Sequence, residues 1–151
     1  MTRAEYAAQL FSEGYNCAQA VAVAFCDVTG FTKEQSAKMV SPFGGGFGRL
    51  REVCGAVSGM TFVFGCLYGY GAPNPEAQMQ VYQTEQALAA QFREQAGSIV
   101  CRDILKNPPS DPAPTPRTAE YYALRPCARM VYLATDILDR YIAENPPVKD
   151  N

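Results

Sequence analysis

Residues 53–71, VCGAVSGMTFVFGCLYGYG, decide the fold class. No charge interrupts the chain between Glu52 and Glu76, so this stretch is nearly long enough to cross a bilayer. Its glycines repeat in the GxxxG spacing of packed membrane helices, at Gly55 and Gly59 and again at Gly65 and Gly69. Against a span stand the five glycines, the polar Ser58, Thr61, Tyr68 and Tyr70, and the lack of a following basic cluster. The reading adopted is a buried central helix over about Cys54 to Tyr70, with no membrane span. At about 100° per residue Gly59, Gly65 and Gly69 all fall within about 80° of Gly55, so glycine lines one side, where a second helix backbone can approach.

Outward from this segment the apolar spacing is helical. YAAQLF (6–11), CAQAVAVAF (17–25), Gln78 to Gln95 and ARMVYLATDILDRYI (128–142) place apolar residues three and four apart, without strand alternation. FTKEQSAKM (31–39) opens with Thr32 and has Gln35 three residues on, the pattern of a capping box. NPPSDPAPTPR (107–117) is Pro-rich, lacks backbone donors, and reads as a linker or lid within one domain. After Glu144 the sequence NPPVKDN should stop the last helix and fray. The expectation is one all-α domain over residues 1–151, a helical bundle around the Gly-rich helix, with a Pro-rich loop at about 107–117.

Composition narrows the chemistry. Of 151 residues 48% are hydrophobic and 19% charged, so the chain has apolar surface to bury in one core. The net charge of −2 gives no electrostatic footprint for phosphate backbones, which argues against nucleic acid. There is no histidine, which removes Ser-His-Asp and Cys-His catalysis, Cys₂His₂ zinc, Rieske centres and proximal-His haem. Any metal must bind through sulfur or oxygen. Six cysteines, about 4% of the chain, fall short of a secreted disulfide scaffold, and Arg3 and Glu5 interrupt any signal-peptide core. The expected location is the cytoplasm, where cysteines are more often metal-binding or catalytic than cross-linked.

The cysteines separate by their position relative to helix starts. Pro126 is a good first helical residue and sets Cys127 in the first turn of the last helix; Gly97 and Ser98 end one helix and cap the next, which does the same for Cys101. Asn16 or Ser12 can cap the segment holding Cys17, and the Gly-rich SPFGGGFG lies shortly before Cys54. A thiol at a helix N-terminus meets free N–H groups and positive dipole charge, which favour thiolate. Cys26, near the expected C-terminal end of its helix, and Cys66, among Val63, Phe64 and Leu67, read as buried small hydrophobes.

These contexts carry a resemblance. Cys17 in EGYNCAQAV, GGGFG followed by CGAVSG at Cys54 to Gly59, Cys101 in SIVCRDIL and Cys127 in RPCARMVYLATDIL together resemble the C_GCAxxG_C_C family, described as redox-active. The resemblance spans most of the chain and implies that Cys17, Cys54, Cys101 and Cys127 are the family's motif cysteines. Val53 stands where the family's name pattern has glycine. The family's tendency to lie near transporter genes implies a redox partner or a transporter-associated protein as partner. Its likeness to a domain of iron–sulfur-containing cytochromes adds a cluster to the candidates.

The loop SPFGGGFGRLR (41–51) does not match a phosphate loop, because a Walker A motif from Gly44 needs glycine and lysine where Arg49 and Leu50 stand. It reads instead as backbone wrapped round the cysteine site, with Gly46, Gly48 and Gly55 at the cofactor and Arg49 or Arg51 beside a thiolate or anion. A tight turn with solvated arginines is the alternative. Arg102, Arg125 and Arg129 read as surface or ion-paired residues. Three functions follow. In the first, an electron-transfer protein, Cys17, Cys54, Cys101 and Cys127 bind an iron–sulfur cluster, [2Fe–2S] by preference, assembled by tertiary structure because ferredoxin-like CxxC spacing is absent. The second is a thiol–disulfide oxidoreductase whose cysteine pairing is open. A non-catalytic module with structural zinc on the four thiolates is the third.

Overall fold

The architecture follows from caps that the sequence supplies locally. A computed structural model describes residues 1–148; the end of the tail, where fraying was expected, lies outside the described residues. Thr2 and Glu5 close a capping box on α1 (Arg3–Ser12), Asn16 and Gln19 one on α2 (Cys17–Ala24), and Thr32 and Gln35 the expected one on α4 (Lys33–Val40). Between them α3 (Cys26–Thr29) is a single turn ended by Gly30 at φ 84°. A 3₁₀ turn (Ser41–Phe43) leads into the Gly-rich loop, and α5 (Gly55–Tyr68) follows. Asn74 caps α6 (Pro75–Ala96), with Pro75 at the first helical position, so this helix starts one turn before its apolar spacing becomes regular. The short α7 (Cys101–Ile104) and α8 (Ala119–Leu124) flank the Pro-rich segment, and α9 (Cys127–Glu144) ends where the tail prolines begin. The protein is all-α; among the described residues the only β-type pairing is an isolated antiparallel bridge between Val53 and Val100.

Packing is centred on α2. Ala18 and Ala20–Ala24 are all buried, and their small side chains let α1, α4, α5 and α9 close in around one short helix. The Gly-rich α5 buries Gly55, Ala56, Val57, Gly59, Met60, Val63 and Phe64, while Thr61, Gly65 and Cys66 lie on its exposed side. The glycine line is therefore used in part. A Cβ on Gly59 would stand 2.7 Å from the Ala18 carbonyl oxygen, so this glycine sets the α2–α5 distance, whereas Gly65 faces open space. Phe11, Phe25, Phe92, Met60, Ile137 and Leu138 fill the core between these helices. Among the described residues no helix is long and apolar enough to cross a membrane.

Candidate functional site

Each of the four motif cysteines opens a helix. Cys17, Cys101 and Cys127 are the first residues of α2, α7 and α9, and Cys54 is the N-cap of α5. Asn16, not Ser12, caps α2, and its Nδ2 donates to the Ser41 carbonyl at 3.1 Å, which ties the Cys17 turn to the entrance of the Gly-rich loop. Cys54 and Cys101, distant in sequence, are joined through their backbones. The Cys54 amide donates to the Ile99 carbonyl at 2.7 Å and the Cys101 amide to the Glu52 carbonyl at 2.6 Å, the two hydrogen bonds that flank the Val53–Val100 bridge.

The Gly-rich loop closes the site by curling with left-handed backbone. Gly45, Gly46, Phe47, Gly48, Arg49 and Arg51 all have φ between 61° and 75°. For Phe47, Arg49 and Arg51 that conformation costs about 1–2 kcal/mol per residue, held in place by the surrounding structure. Gly46 is required for close approach, since a Cβ there would lie 2.6 Å from Cys101 Cβ. The curl turns Arg51 inward until the residue is 4% exposed, and its Nη1 donates to Cys101 Sγ at 3.7 Å. Gly48 lines the same cavity, and a Cβ on Gly55 would stand 3.2 Å from Cys17 Cβ.

The Pro-rich segment covers the opening. Arg51 Nε donates to the Pro109 carbonyl at 2.8 Å, Arg49 donates to Asp111 and, at 2.8 Å, to Thr115 Oγ1, and Pro112, Pro114 and Thr115 line the cavity. Arg117 stacks over Phe11 at 4.3 Å and donates to the Phe11 and Tyr15 carbonyls, anchoring the far end.

Cys17, Cys54, Cys101 and Cys127 all line this one cavity of about 350 Å³; Cys26 and Cys66 do not. Arg49, Arg51, Arg117 and Arg125 line it too, and no carboxylate does. Arg125, expected at the surface or in an ion pair, instead stacks over Tyr121 at 5.2 Å beside the thiols. Sequence reasoning did not single out Phe11, Tyr121, Arg117 or Met130, all on the cavity wall. The one available signal for Arg117 was its place at the end of the Pro-rich run.

Ionisation does not follow helix position alone. Burial pushes the Cys54 thiol up to about 12, although the Ala56 and Val57 amides oppose it. It also raises Cys101, where desolvation outweighs Arg51, so the expected depressed pKa at Cys101 is corrected. Arg102, as expected, is a surface residue in an ion pair, with Glu52, and also donates to the Leu50 carbonyl. Cys17 and Cys127 share an interaction that holds Cys17 protonated, well above the ordinary thiol range, and brings Cys127 down to about 7 with help from Arg125, Arg117 and Arg51. Cys127 is thus the most acidic thiol of the four. Outside it, Cys66 is exposed rather than buried, because the apolar run around it turns only one face inward. Cys26 opens α3 rather than ending α2, since the helix breaks at Phe25, and its sulfur contacts Ser36 Oγ at 3.3 Å.

Among the described residues no three Cys, Asp or Glu side chains converge on a point where a single ion could sit, so the four thiols as they stand do not match mononuclear tetrathiolate zinc. A binuclear [2Fe–2S] core asks for two thiolates on each of two irons, a donor set that Cys17, Cys54, Cys101 and Cys127 can supply from the walls of one cavity.

Fold and site together define an all-α protein with four helix-opening cysteines around an arginine-lined cavity. A family model described as "Putative redox-active protein (C_GCAxxG_C_C)" matches residues 15–141, and the chain belongs to that family. Comparisons with curated proteins and with solved structures return no match.

Proposed function

We propose that this redox-active protein works as a dithiol–disulfide couple through Cys17 and Cys127. The observation that carries the reading is placement: Cys17 and Cys127, the first residues of α2 and α9, line one cavity with Arg51, Arg117 and Arg125, surroundings that favour the thiolate at Cys127 while Cys17 is raised by its bond to Cys127 and by burial. The Cys127 thiolate attacks one sulfur of a substrate disulfide and expels the other as a thiolate, forming a mixed disulfide. Cys17 then gives its proton to the first departing sulfur and attacks Cys127 Sγ, which releases the second substrate sulfur as a thiolate. One substrate disulfide becomes one thiol, protonated by Cys17, and one thiolate, which takes its proton from solvent, while the Cys17–Cys127 bond forms; electrons and protons then balance without a histidine base. Oxidising the metal-free protein and mapping its cross-linked peptides should recover Cys17 joined to Cys127, reversibly, with Cys26 and Cys66 still free thiols. Any other pairing, or none, sinks the reading.

A second reading rests on the four arginines and absent carboxylates of the cavity, a lining suited to a centre of net negative charge. In it Cys17, Cys54, Cys101 and Cys127 hold a [2Fe–2S] cluster, which supplies one-electron transfer. The chain's own part is to exclude water under the Pro-rich strap and to direct the Arg51 N–H toward Cys101 Sγ. Iron with acid-labile sulfide in anaerobically purified protein, lost in Cys→Ser variants at these four positions, separates this from the dithiol reading.

A further inference from the structure

Of the arginines that line the cysteine cavity, three are already engaged. Arg49 donates to Asp111 and Thr115, Arg51 to the Pro109 carbonyl and Cys101 Sγ, and Arg117 to the Phe11 and Tyr15 carbonyls. Arg125 differs. Among the described residues its guanidinium makes no hydrogen bond and no ion pair, and it is held by the face of Tyr121, 5.2 Å from the ring centroid. The residue is half-buried, lies two positions before Cys127, and lines a cavity that has no carboxylate of its own. A guanidinium offers a planar fork of N–H donors that fits a carboxylate in bidentate fashion, so this cation lacks the partner its shape suits best.

We propose that the substrate is a small disulfide bearing carboxylate groups, one of which pairs with Arg125 while a substrate sulfur meets Cys127 Sγ. The assignment rests on the dithiol reading and narrows it to one substrate class. Size points the same way: about 350 Å³ beneath the Pro-rich strap suits a small molecule and is too little for a disulfide presented on a folded protein. Phe11, Met130, Pro112 and Pro114 give the methylene groups between carboxylate and sulfur an apolar wall. The electron count is that of the dithiol couple. Cys127 Sγ bonds one substrate sulfur as the substrate S–S bond breaks, the other sulfur leaves with the Cys17 proton, and Cys17 displaces the first as a thiolate, so the substrate is reduced and the protein pair oxidised.

The test compares dithiodipropionate, hydroxyethyl disulfide and cystamine, reagents of similar length that are anionic, neutral and cationic. Each is reacted with the reduced, metal-free protein, the Cys17–Cys127 cross-link is followed by peptide mapping, and the rate is divided by that of the same reagent with free mercaptoethanol. The anionic reagent should be favoured over the neutral one about tenfold or more, the gain of one charge-assisted pair, and cystamine should be slowest. All three meet the same thiolate at one pH, so their ratio does not register a change in Cys127 ionisation. R125Q should abolish most of the preference, and R125K, which keeps the charge without the fork, should restore part of it. R129Q removes an exposed charge four residues on, outside the cavity, and should leave the preference unchanged. Equal relative rates for the three reagents, a preference that survives in R125Q, or one that falls equally in R129Q overturn the substrate class and leave the dithiol pair standing. Failure of all three to join Cys17 to Cys127 removes the dithiol reading, and this assignment with it.

Discussion

Arg51 joins Cys101 to the strap that covers it: one guanidinium donates to Cys101 Sγ at 3.7 Å and to the Pro109 carbonyl at 2.8 Å. The same side chain thus lowers the cost of a charged sulfur and holds the lid of the cavity. Because burial already raises the Cys101 thiol above its ordinary range, Arg51 offsets a penalty and does not create a strong nucleophile.

Replacing this residue should show both roles. In R51A the Cys101 thiol rises further and the strap loses its Pro109 anchor, so proteases should cut within residues 107–117 faster than in the unaltered protein. R51K keeps the charge but not the planar fork, and should restore less of the protection than of the Cys101 ionisation. Limited proteolysis read by mass spectrometry checks the first, and Cys101 alkylation against pH the second. Unchanged strap cleavage in R51A would refute the clamp.

The thiol that stays reactive in mild acid should be Cys127. Its pKa is lowered to about 7 from an ordinary value of 9.0, so its thiolate, and the stability linked to it, are present above the unfolded value and lost as pH falls through about 7. Cys17, Cys54, Cys66 and Cys101 are shifted the other way and should be labelled only at higher pH. Timed alkylation of the reduced, metal-free protein between pH 6 and about 9, mapped by peptide, should therefore find Cys127 first. Earlier labelling of Cys101 would show that dipole and arginine outweigh burial there after all.

Two glycines on one helix should respond with opposite signs. G59A drives a methyl to 2.7 Å from the Ala18 carbonyl and should destabilise the fold by about 1–3 kcal/mol. G65A meets nothing within 4 Å and should stabilise by about 0.5–1 kcal/mol through helix propensity alone. Urea unfolding of both variants gives the comparison. A stabilised G59A would mean that α2 and α5 are free to move apart.

G46A tests the loop around the site. Its φ of 75° and the 2.6 Å approach to Cys101 Cβ leave no room for a methyl group, with Cys101 held by its backbone bond to Glu52. A cost of about 1–3 kcal/mol is expected, together with faster alkylation of Cys101 as the loop lifts from the thiol. A neutral G46A, in both stability and labelling, would show that the curl is not what seats Cys101.

The sequence by itself determined whatever depends on neighbours along the chain. Asn16 and Thr32 bind the amides of the turns that follow them, so the starts of α2 and α4 were read as caps, and Pro126 placed the start of α9; Thr2 and Asn74 cap α1 and α6 by the same local chemistry but went unread. The all-α class and the helix-opening positions of Cys101 and Cys127 came from the same short-range chemistry. Tertiary structure decided what those cysteines became. The Val53–Val100 bridge that brings Cys54 to Cys101 is a contact between distant segments with no local signal, and only the left-handed curl of residues 45–51 turns Arg51 inward instead of toward solvent. Ionisation was decided there as well. A helix N-terminus acts over one turn and favours every one of these thiolates, but desolvation depends on everything packed around a sulfur, and it raises Cys54 and Cys101, while Cys17 from another helix, with Arg125, Arg117 and Arg51, lowers Cys127.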